Sequence, residues 1–241
     1  MTNRDRILSI TDESRTKRIK KILSAITRNY EIQVAQPSKD NFRCDSEIFN
    51  IVIPSKIQEN KIVVMAHHDV YPGSKGYNDN STGVSTLLRL QKDLPDNVEL
   101  VITDREEIGG LGCEYYIESC FRRGNMTFEA INLDVVGLGT KIFYEKYGEK
   151  PLKLFDIPEH IDLYENIPFS DSQMLGRYNI PNVLLLTGET KSGLIRKIFE
   201  AQHCGINDSN LDLISEETMD LVFETVSTMI HAKKPAEILV K

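Results

Sequence analysis

The sequence lacks features that mark several classes of protein. No stretch of its 241 residues approaches the ~20 consecutive apolar residues of a membrane span. The opening MTNRDRILSI also lacks the long apolar core of a signal peptide. Positive charge is not in excess, because 29 Lys and Arg face 36 Asp and Glu, for a net charge of −7. We therefore expect a cytoplasmic protein with no nucleic-acid or membrane partner.

Cysteine pairs and internal repeats are missing as well. Cys44, Cys113, Cys120 and Cys204 form no CxxC motif, so we expect free thiols in a reducing compartment. The one basic cluster, 15-RTKRIKK-21, is interpreted as the solvated face of a helix near 12–28. Without repeats or low-complexity linkers, residues 1–241 are expected to form a single domain.

Apolar runs and helical patterns alternate along the rest of the chain. We predict buried strands at 62–66, 98–103, 130–134 and 183–187, and helices at 84–94 and near 111–121, 171–178, 191–202 and 215–232. Segments near 30–35 and 46–53 are predicted to add antiparallel edge strands. The pattern indicates an α/β fold, a three-layer α/β/α sandwich around a mixed, mostly parallel sheet.

Ligand-grade side chains follow three of the predicted strands. His67 and Asp69 follow the first central strand, Glu106 and Glu107 follow the second, and Asp134 closes the third. Loops at the carboxyl ends of parallel strands converge on one crevice, and burying uncompensated charge there is costly. A bound cation would offset that cost. Mixed imidazole and carboxylate ligands favour zinc, although manganese or cobalt can occupy similar sites.

Five short motifs occur in a specific order. They are 66-AHHD-69, 78-NDNSTG-83, 106-EEIGGLG-112, 132-NLDVVG-137 and 203-HCGIND-208. Each is weak evidence alone, since a His-x-Asp triplet or a glutamate pair also arises on ordinary surfaces. Together, over about 60–230, they resemble the zinc-dependent aminopeptidase and glutaminyl cyclase-like family, metallopeptidase family 28 of clan MH. The resemblance implies the zinc aminopeptidase-like phosphorylase/hydrolase fold.

The resemblance also implies a role for each motif residue. It implies two zinc ions whose ligands are His67, Asp79, Glu107, Asp134 and His203, with Asp79 shared between the ions. It implies catalytic assignments for Glu106, Asp69 and Asp171: Glu106 as general base, Asp69 behind His67, and Asp171 near the reacting group through the segment 169-FSDSQML-175. Val70 after the His-x-Asp triplet and Cys204 after the late histidine depart from the family pattern. Neither position is a ligand.

The function implied is a co-catalytic di-zinc aminopeptidase. It would remove N-terminal residues from a small peptide or aminoacyl substrate through a hydroxide bridging the ions, with a glutamate general base. The alternatives are a related di-metal amidohydrolase or deacylase, suggested by 67-HHDVYP-72, a glutaminyl cyclase-like enzyme, and a catalytically silent binding domain. A homo-oligomer is compatible with the sequence.

Overall fold

An eight-stranded mixed sheet forms the centre of the computed structural model, which describes residues 1–36, 47–124, 127–165, 167, 169–189 and 208–232. Its strands are β1 (Glu31–Ala35), β2 (Ile48–Ile53), β3 (Lys61–His67), β4 (Val98–Thr103), β5 (Phe128–Leu133), β6 (Lys141–Tyr147), β7 (Asp162–Leu163) and β8 (Asn182–Gly188). The α-helices of the described residues are α1 (Asn3–Ile10), α2 (Arg15–Ala25), α3 (Thr82–Leu90), α4 (Leu111–Arg122), α5 (Asp171–Arg177) and α6 (Glu216–His231).

The strand order is β1-β2-β4-β3-β5-β8-β6-β7. The four central strands, β4, β3, β5 and β8, are parallel to one another. On one side β2 pairs antiparallel with β4 and β1 antiparallel with β2, as predicted for these two segments. On the other side β6 is antiparallel to β8. The predicted mixed, mostly parallel α/β sheet is confirmed.

Helices cover both faces of this sheet, which explains the unbroken apolar runs of the central strands. Along β3, Ile62 and Val64 pack into a core cluster with residues of α3 and α6, whereas Val63 and Met65 pack into a second cluster with residues of α4 and α5. All seven residues of β3 are buried. Alternating side chains of one strand therefore enter two separate apolar layers.

The N-terminal prediction was correct for the helix and wrong for Arg18. The helix expected near 12–28 is α2 (Arg15–Ala25), whereas α1 (Asn3–Ile10) was not predicted and is separated from α2 by extended backbone at Thr11 and Ser14. Arg18, expected on a solvated face, is only 3% exposed. Its guanidinium donates to the main-chain carbonyl oxygens of His68 and Asp12. These hydrogen bonds hold the Arg18 side chain in the interior.

The remaining predictions concern the cysteines, one further helix and the membrane. Cys113 and Cys120 are free, as predicted, whereas Cys44, Cys204 and the predicted helix at 191–202 lie outside the described residues. Strand β6 was not predicted, because its half-buried residues alternate irregularly with charged ones. None of the described helices is long and apolar enough to cross a bilayer.

A buried ion pair lies at the amino-terminal ends of the central strands. Nζ of Lys61 is 2.7 Å from Oε1 of Glu99, and the two side chains are 3% and 5% exposed. The Tyr116 hydroxyl donates to the same carboxylate oxygen over 2.5 Å. Removing one member of such a pair leaves an uncompensated charge in the interior.

We expect Lys61→Met to lower the free energy of unfolding by about 3–5 kcal/mol, because the Glu99 carboxylate would stay buried without its partner. Urea denaturation measures the change. Lys56→Met is the matched control, since Lys56 pairs with Asp96 at the surface, where the side chains are 73% and 59% exposed, and exposed pairs contribute little. Equal effects of the two substitutions would contradict this account.

Candidate metal centre

The candidate site lies at the carboxyl ends of the adjacent parallel strands β4, β3 and β5. His67 is the last residue of β3 and lies beside Thr103, the last residue of β4. Asp134 follows the last residue of β5 directly. Because these three strands end together, the loops that follow them meet above the sheet. The structure therefore brings together side chains that are far apart in sequence.

Three proposed ligands converge on one point. Nε2 of His67 lies 3.1 Å from Oδ1 of Asp79 and 3.5 Å from Oδ1 of Asp134. One ligand atom from each residue falls within 4.8 Å of the other two. His67 is 1% exposed, and its Nε2 has no hydrogen-bond partner of acceptable geometry. A buried nitrogen thus faces two carboxylates without a hydrogen bond to either.

The second ring nitrogen of His67 explains this arrangement. Nδ1 lies 3.1 Å from the main-chain oxygen of Asp69. A carbonyl oxygen can only accept a hydrogen bond, so Nδ1 carries a proton and Nε2 is the ring atom that faces Asp79 and Asp134. The facing carboxylates require positive charge at this point, which a proton on Nε2 or a bound cation would supply. A neutral ring protonated at Nδ1 is the tautomer that a metal-binding histidine adopts.

The loop that carries Asp79 is held by the two asparagines that flank it. The Asn80 amide donates to the Leu133 carbonyl over 2.7 Å, and Oδ1 of Asn78 accepts from the Gly137 amide over 2.9 Å. Both bonds tie the loop to the chain that leaves β5. The peptide bond between Asp79 and Asn80 is cis. The Asn-Asp-Asn triplet thus fixes Asp79 beside Asp134.

Two glycines in the same motifs allow this close approach. A Cβ atom on Gly83 would lie 2.5 Å from Oδ1 of Asn80 and 2.9 Å from the Leu133 oxygen. A Cβ atom on Gly137 would lie 2.9 Å from Oδ1 of Asn78. Any larger residue at either position would displace the hydrogen bonds that hold the Asp79 loop.

Asp208, for which no role was predicted, also holds this loop. Its Oδ2 accepts from the main-chain amides of Asn78 and Asp79 over 2.8 and 2.7 Å. Burial raises the pKa of Asp208 to about 7. Its position in 203-HCGIND-208 was the only available signal. His203, the proposed fifth ligand, lies outside the described residues.

The glutamate pair is placed beside the cluster by Asp69. Oδ1 and Oδ2 of Asp69 accept from the main-chain amides of Glu106 and Glu107 over 3.0 and 3.2 Å, and Oδ1 lies 3.5 Å from Nδ1 of His67. Oε2 of Glu106 is 3.9 Å from Nε2 of His67, and Oε1 of Glu107 is buried without a hydrogen bond. One aspartate thus orients a proposed ligand and both glutamates.

Asp171, the least direct of the sequence assignments, is the first residue of α5 and is 1% exposed. Its Oδ2 accepts from the Thr103 hydroxyl over 2.6 Å, whereas its Oδ1 is buried without a partner. Thr103 lies beside His67 in the sheet. The structure therefore places Asp171 next to the cluster but outside the converging three residues.

The electrostatics of the site follow from burying several carboxyl groups together. Burial, reinforced by the Asp79 charge, raises the pKa of Glu107 to about 8, and burial raises the pKa of Asp171 to about 7. Burial also raises the pKa of Glu106 well above 4.5 and the pKa of Asp134 above 3.8. These groups resist ionisation together until positive charge is supplied.

His67 and Asp69 shift in the opposite sense to burial. Burial lowers the pKa of His67, but the facing carboxylates of Asp134, Asp69 and Asp79 outweigh it and raise that pKa well above 6.5. Burial opposes ionisation of Asp69, but the His67 hydrogen bond and charge prevail and lower the pKa of Asp69 below 3.8. An imidazole nitrogen and several carboxylate oxygens, buried and facing one another, fit a divalent first-row cation such as zinc.

Sequence comparison agrees with this chemistry. A family model described as Peptidase family M28 matches residues 48–156, a segment that includes every proposed site residue except Asp171 and His203. Aminopeptidase YwaD of Bacillus subtilis is 32% identical over 133 residues, which are 51% of this chain and 28% of that protein. The resemblance to this peptidase family is thus confirmed, although the match spans under a third of the relative.

Solved structures share the fold. A glutaminyl cyclase of Porphyromonas gingivalis superposes with a TM-score of 0.68 and 17% identity over 94% of each chain. A zinc aminopeptidase of Bacillus subtilis superposes with a TM-score of 0.62 and 22% identity, over 79% of this chain and 52% of that one. The α/β class and its likeness to these enzymes are therefore established.

We expect the metal-free protein to lose stability as pH rises from 6 to 8. Carboxyl groups with pKa values of about 7 and 8 in the folded state lose their protons near pH 4 when unfolded, so unfolding releases protons and alkaline pH favours it. His67, whose pKa is raised, acts in the same direction. Urea denaturation in EDTA at both pH values measures the trend.

Zinc should remove most of this dependence, because the cation binds the deprotonated groups. Glu107→Gln is the matched variant, and in EDTA it should show a shallower decline than the wild-type protein. Metal-free protein that is as stable at pH 8 as at pH 6 would contradict the electrostatic account.

Proposed function

We propose that this chain, homologous to M28 peptidases over residues 48–156, is a zinc-dependent aminopeptidase with a co-catalytic pair of ions. The observation that carries the proposal is the convergence of His67, Asp79 and Asp134 within 4.8 Å, with the carboxylate of Glu106 3.9 Å from His67. Candidate ligands and a candidate acid–base group thus lie in one buried site.

Two zinc ions would be held by His67 and Asp134 on one side and by Glu107 and His203 on the other, with Asp79 shared. When bound, they would polarise the substrate carbonyl and lower the pKa of a water molecule. This division uses the five ligands that the family resemblance implies. It is supported by the placement of Asp79 beside both His67 and Asp134.

Glu106 would act as the general base. Its side chain is buried beside His67 but is not one of the three converging residues, so its carboxylate is free to exchange a proton. Burial raises its pKa, which suits a group that takes a proton from water and passes it to the leaving amine. Asp69 would hold Glu106 in place through its main-chain amide.

Asp69 and Asp171 would serve the site in different ways. Asp69 fixes the His67 ring and the glutamate loop together, so we assign it to orientation of the ligands. Asp171 presents a buried carboxylate oxygen without a partner, and its pKa of about 7 leaves it able to exchange a proton near neutral pH. We assign Asp171 to the residues that contact the substrate.

A glutaminyl cyclase is the second candidate. The observation that favours it is length: the chain and the Porphyromonas gingivalis cyclase match over 94% of both, whereas the chain covers only 52% of the Bacillus subtilis aminopeptidase. A cyclase would release ammonia from an N-terminal glutamine and leave the peptide chain intact. An aminopeptidase would release the amino acid, so one assay with a glutaminyl peptide separates the two.

We expect Glu106→Gln to retain zinc but to lose about 10²–10⁴-fold in kcat on aminoacyl p-nitroanilides, the usual contribution of general acid–base catalysis. Zinc content is measured by elemental mass spectrometry on the same samples. Glu107→Gln is the matched control, because the neighbouring glutamate is a proposed ligand and its loss should reduce zinc content.

Two results would contradict this assignment. Unchanged kcat in Glu106→Gln would remove Glu106 from the role of base. Loss of zinc from Glu106→Gln, with zinc retained by Glu107→Gln, would exchange the two assignments.

A further inference from the structure

A cavity of about 630 Å³ adjoins the candidate metal centre. Its lining includes Asp69 and Glu107 on the side of the centre, and Arg15, Arg18, Arg105 and Tyr71 elsewhere. Cavities that bind small molecules commonly measure about 300–1,000 Å³. The cavity is therefore large enough for one or two amino-acid residues.

Guanidinium groups are concentrated in this lining. Arg15 and Arg18 come from α2, and Arg105 immediately precedes the glutamate pair. Arg15 and Arg105 both approach a single carboxylate, that of Asp104, which is fully buried. The Asp104 carboxylate thus contacts two of the three arginines, and Arg15 reaches both of its oxygens.

Arg18 is held by main-chain oxygens. It is 3% exposed, its hydrogen bonds go to the main-chain oxygens of His68 and Asp12, and its Nε has no hydrogen-bond partner. Within the described part of the chain, no carboxylate oxygen forms an ion pair with it. A buried guanidinium without a carboxylate partner creates a local demand for an anion.

The acidic residues of the lining form no ion pair with Arg18, although the charge of Asp69 acts on it from a distance. Both oxygens of Asp69 accept main-chain amides of the glutamate loop, and Glu107 is a proposed zinc ligand. Glu13, the remaining acidic residue of the lining, pairs with Lys75. With zinc bound, the region around the cavity would carry further positive charge.

We propose that this cavity binds a carboxylate of the substrate and thereby directs the enzyme to short, free-acid peptides or acidic aminoacyl groups. The inference rests on the proposed hydrolase function, because Glu107 would border both the zinc centre and the cavity. Because Asp69 and Glu107 line the cavity beside the centre, the carboxylate would belong to a substrate residue next to the cleaved bond. It is either the C-terminal carboxylate of a dipeptide or an acidic side chain.

Arginine suits this task because its planar fork matches the two oxygens of a carboxylate. Tyr71, which is 45% exposed, supplies an aromatic surface at the cavity. Arg15 and Arg18 lie outside residues 48–156, which match the family model. The N-terminal helix α2 would therefore contribute specificity from outside the segment that matches the peptidase family.

The first test compares substrates that differ in a single charge. The pairs are leucyl-glycine with leucyl-glycinamide, and glutamyl with glutaminyl p-nitroanilide, assayed with the zinc-loaded full-length protein. We expect kcat/KM to favour the free acid at least about tenfold in one pair, as a charge-assisted contact would. The pair that shows the preference identifies which carboxylate is bound. No preference in either pair would overturn the proposal.

Arg105→Met and Arg15→Met should each reduce that preference at least about threefold, since one charge of the cavity is lost. Arg122→Met is the matched control, because Arg122 lies on α4, is 57% exposed and pairs with Glu118; it should keep the wild-type ratio. Arg105→Lys should show a preference for the free acid between those of the wild type and Arg105→Met, since lysine keeps the charge but lacks the planar guanidinium. Wild-type ratios in both cavity variants would overturn the proposal.

Binding without turnover separates this inference from the proposed function. Calorimetry with EDTA-treated protein measures leucyl-glycine and leucyl-glycinamide where no hydrolysis occurs. Tighter binding of the acid, weakened in Arg105→Met, supports the carboxylate site even if the loaded protein cleaves no peptide, in which case the proposed function fails alone. Equal binding of acid and amide by an active peptidase would overturn the cavity proposal alone.

Discussion

The structure depends on one electrostatic constraint: an imidazole and several carboxylates are buried face to face at the ends of β3 and β5. Nε2 of His67 faces Asp79 and Asp134, an arrangement that is unfavourable without positive charge between them. Glu106 and Glu107 add to the negative charge, and their pKa values rise accordingly. A protein that folds around such a cluster gains the energy of cation binding as folding energy.

The strands and the loops above them both hold this cluster in place. The parallel strands, buried on both faces, form a rigid platform whose carboxyl ends coincide. Above it, loops are fixed by hydrogen bonds rather than by regular structure: Asn78, Asn80 and Asp208 hold the Asp79 loop, and Asp69 holds the glutamate loop. Each of these polar side chains is buried, so each restrains the loop that it contacts. Residues other than the proposed ligands therefore preorganise the cluster.

Sequence patterns predicted the parts of this structure that depend on local composition or motif order. Burial on both faces makes β3 uniformly apolar, so the strand was evident, and five ordered motifs indicated the family. Partly exposed β6 lacked that signal. The burial of Arg18 could not be predicted, since it depends on main-chain oxygens of His68 and Asp12. The loop contacts of Asp208 span about 130 residues, and no local pattern encodes such contacts.

The most direct test of the central claim is the position of zinc in a crystal, located by anomalous scattering at the zinc edge after soaking at neutral pH. The account predicts a peak bonded to Nε2 of His67 and to carboxylate oxygens of Asp79 and Asp134, at the ~2.0–2.2 Å typical of zinc ligands. A His67→Ala crystal under the same conditions should lose that peak. Full zinc occupancy elsewhere on the protein, with none among these three residues, would contradict the account.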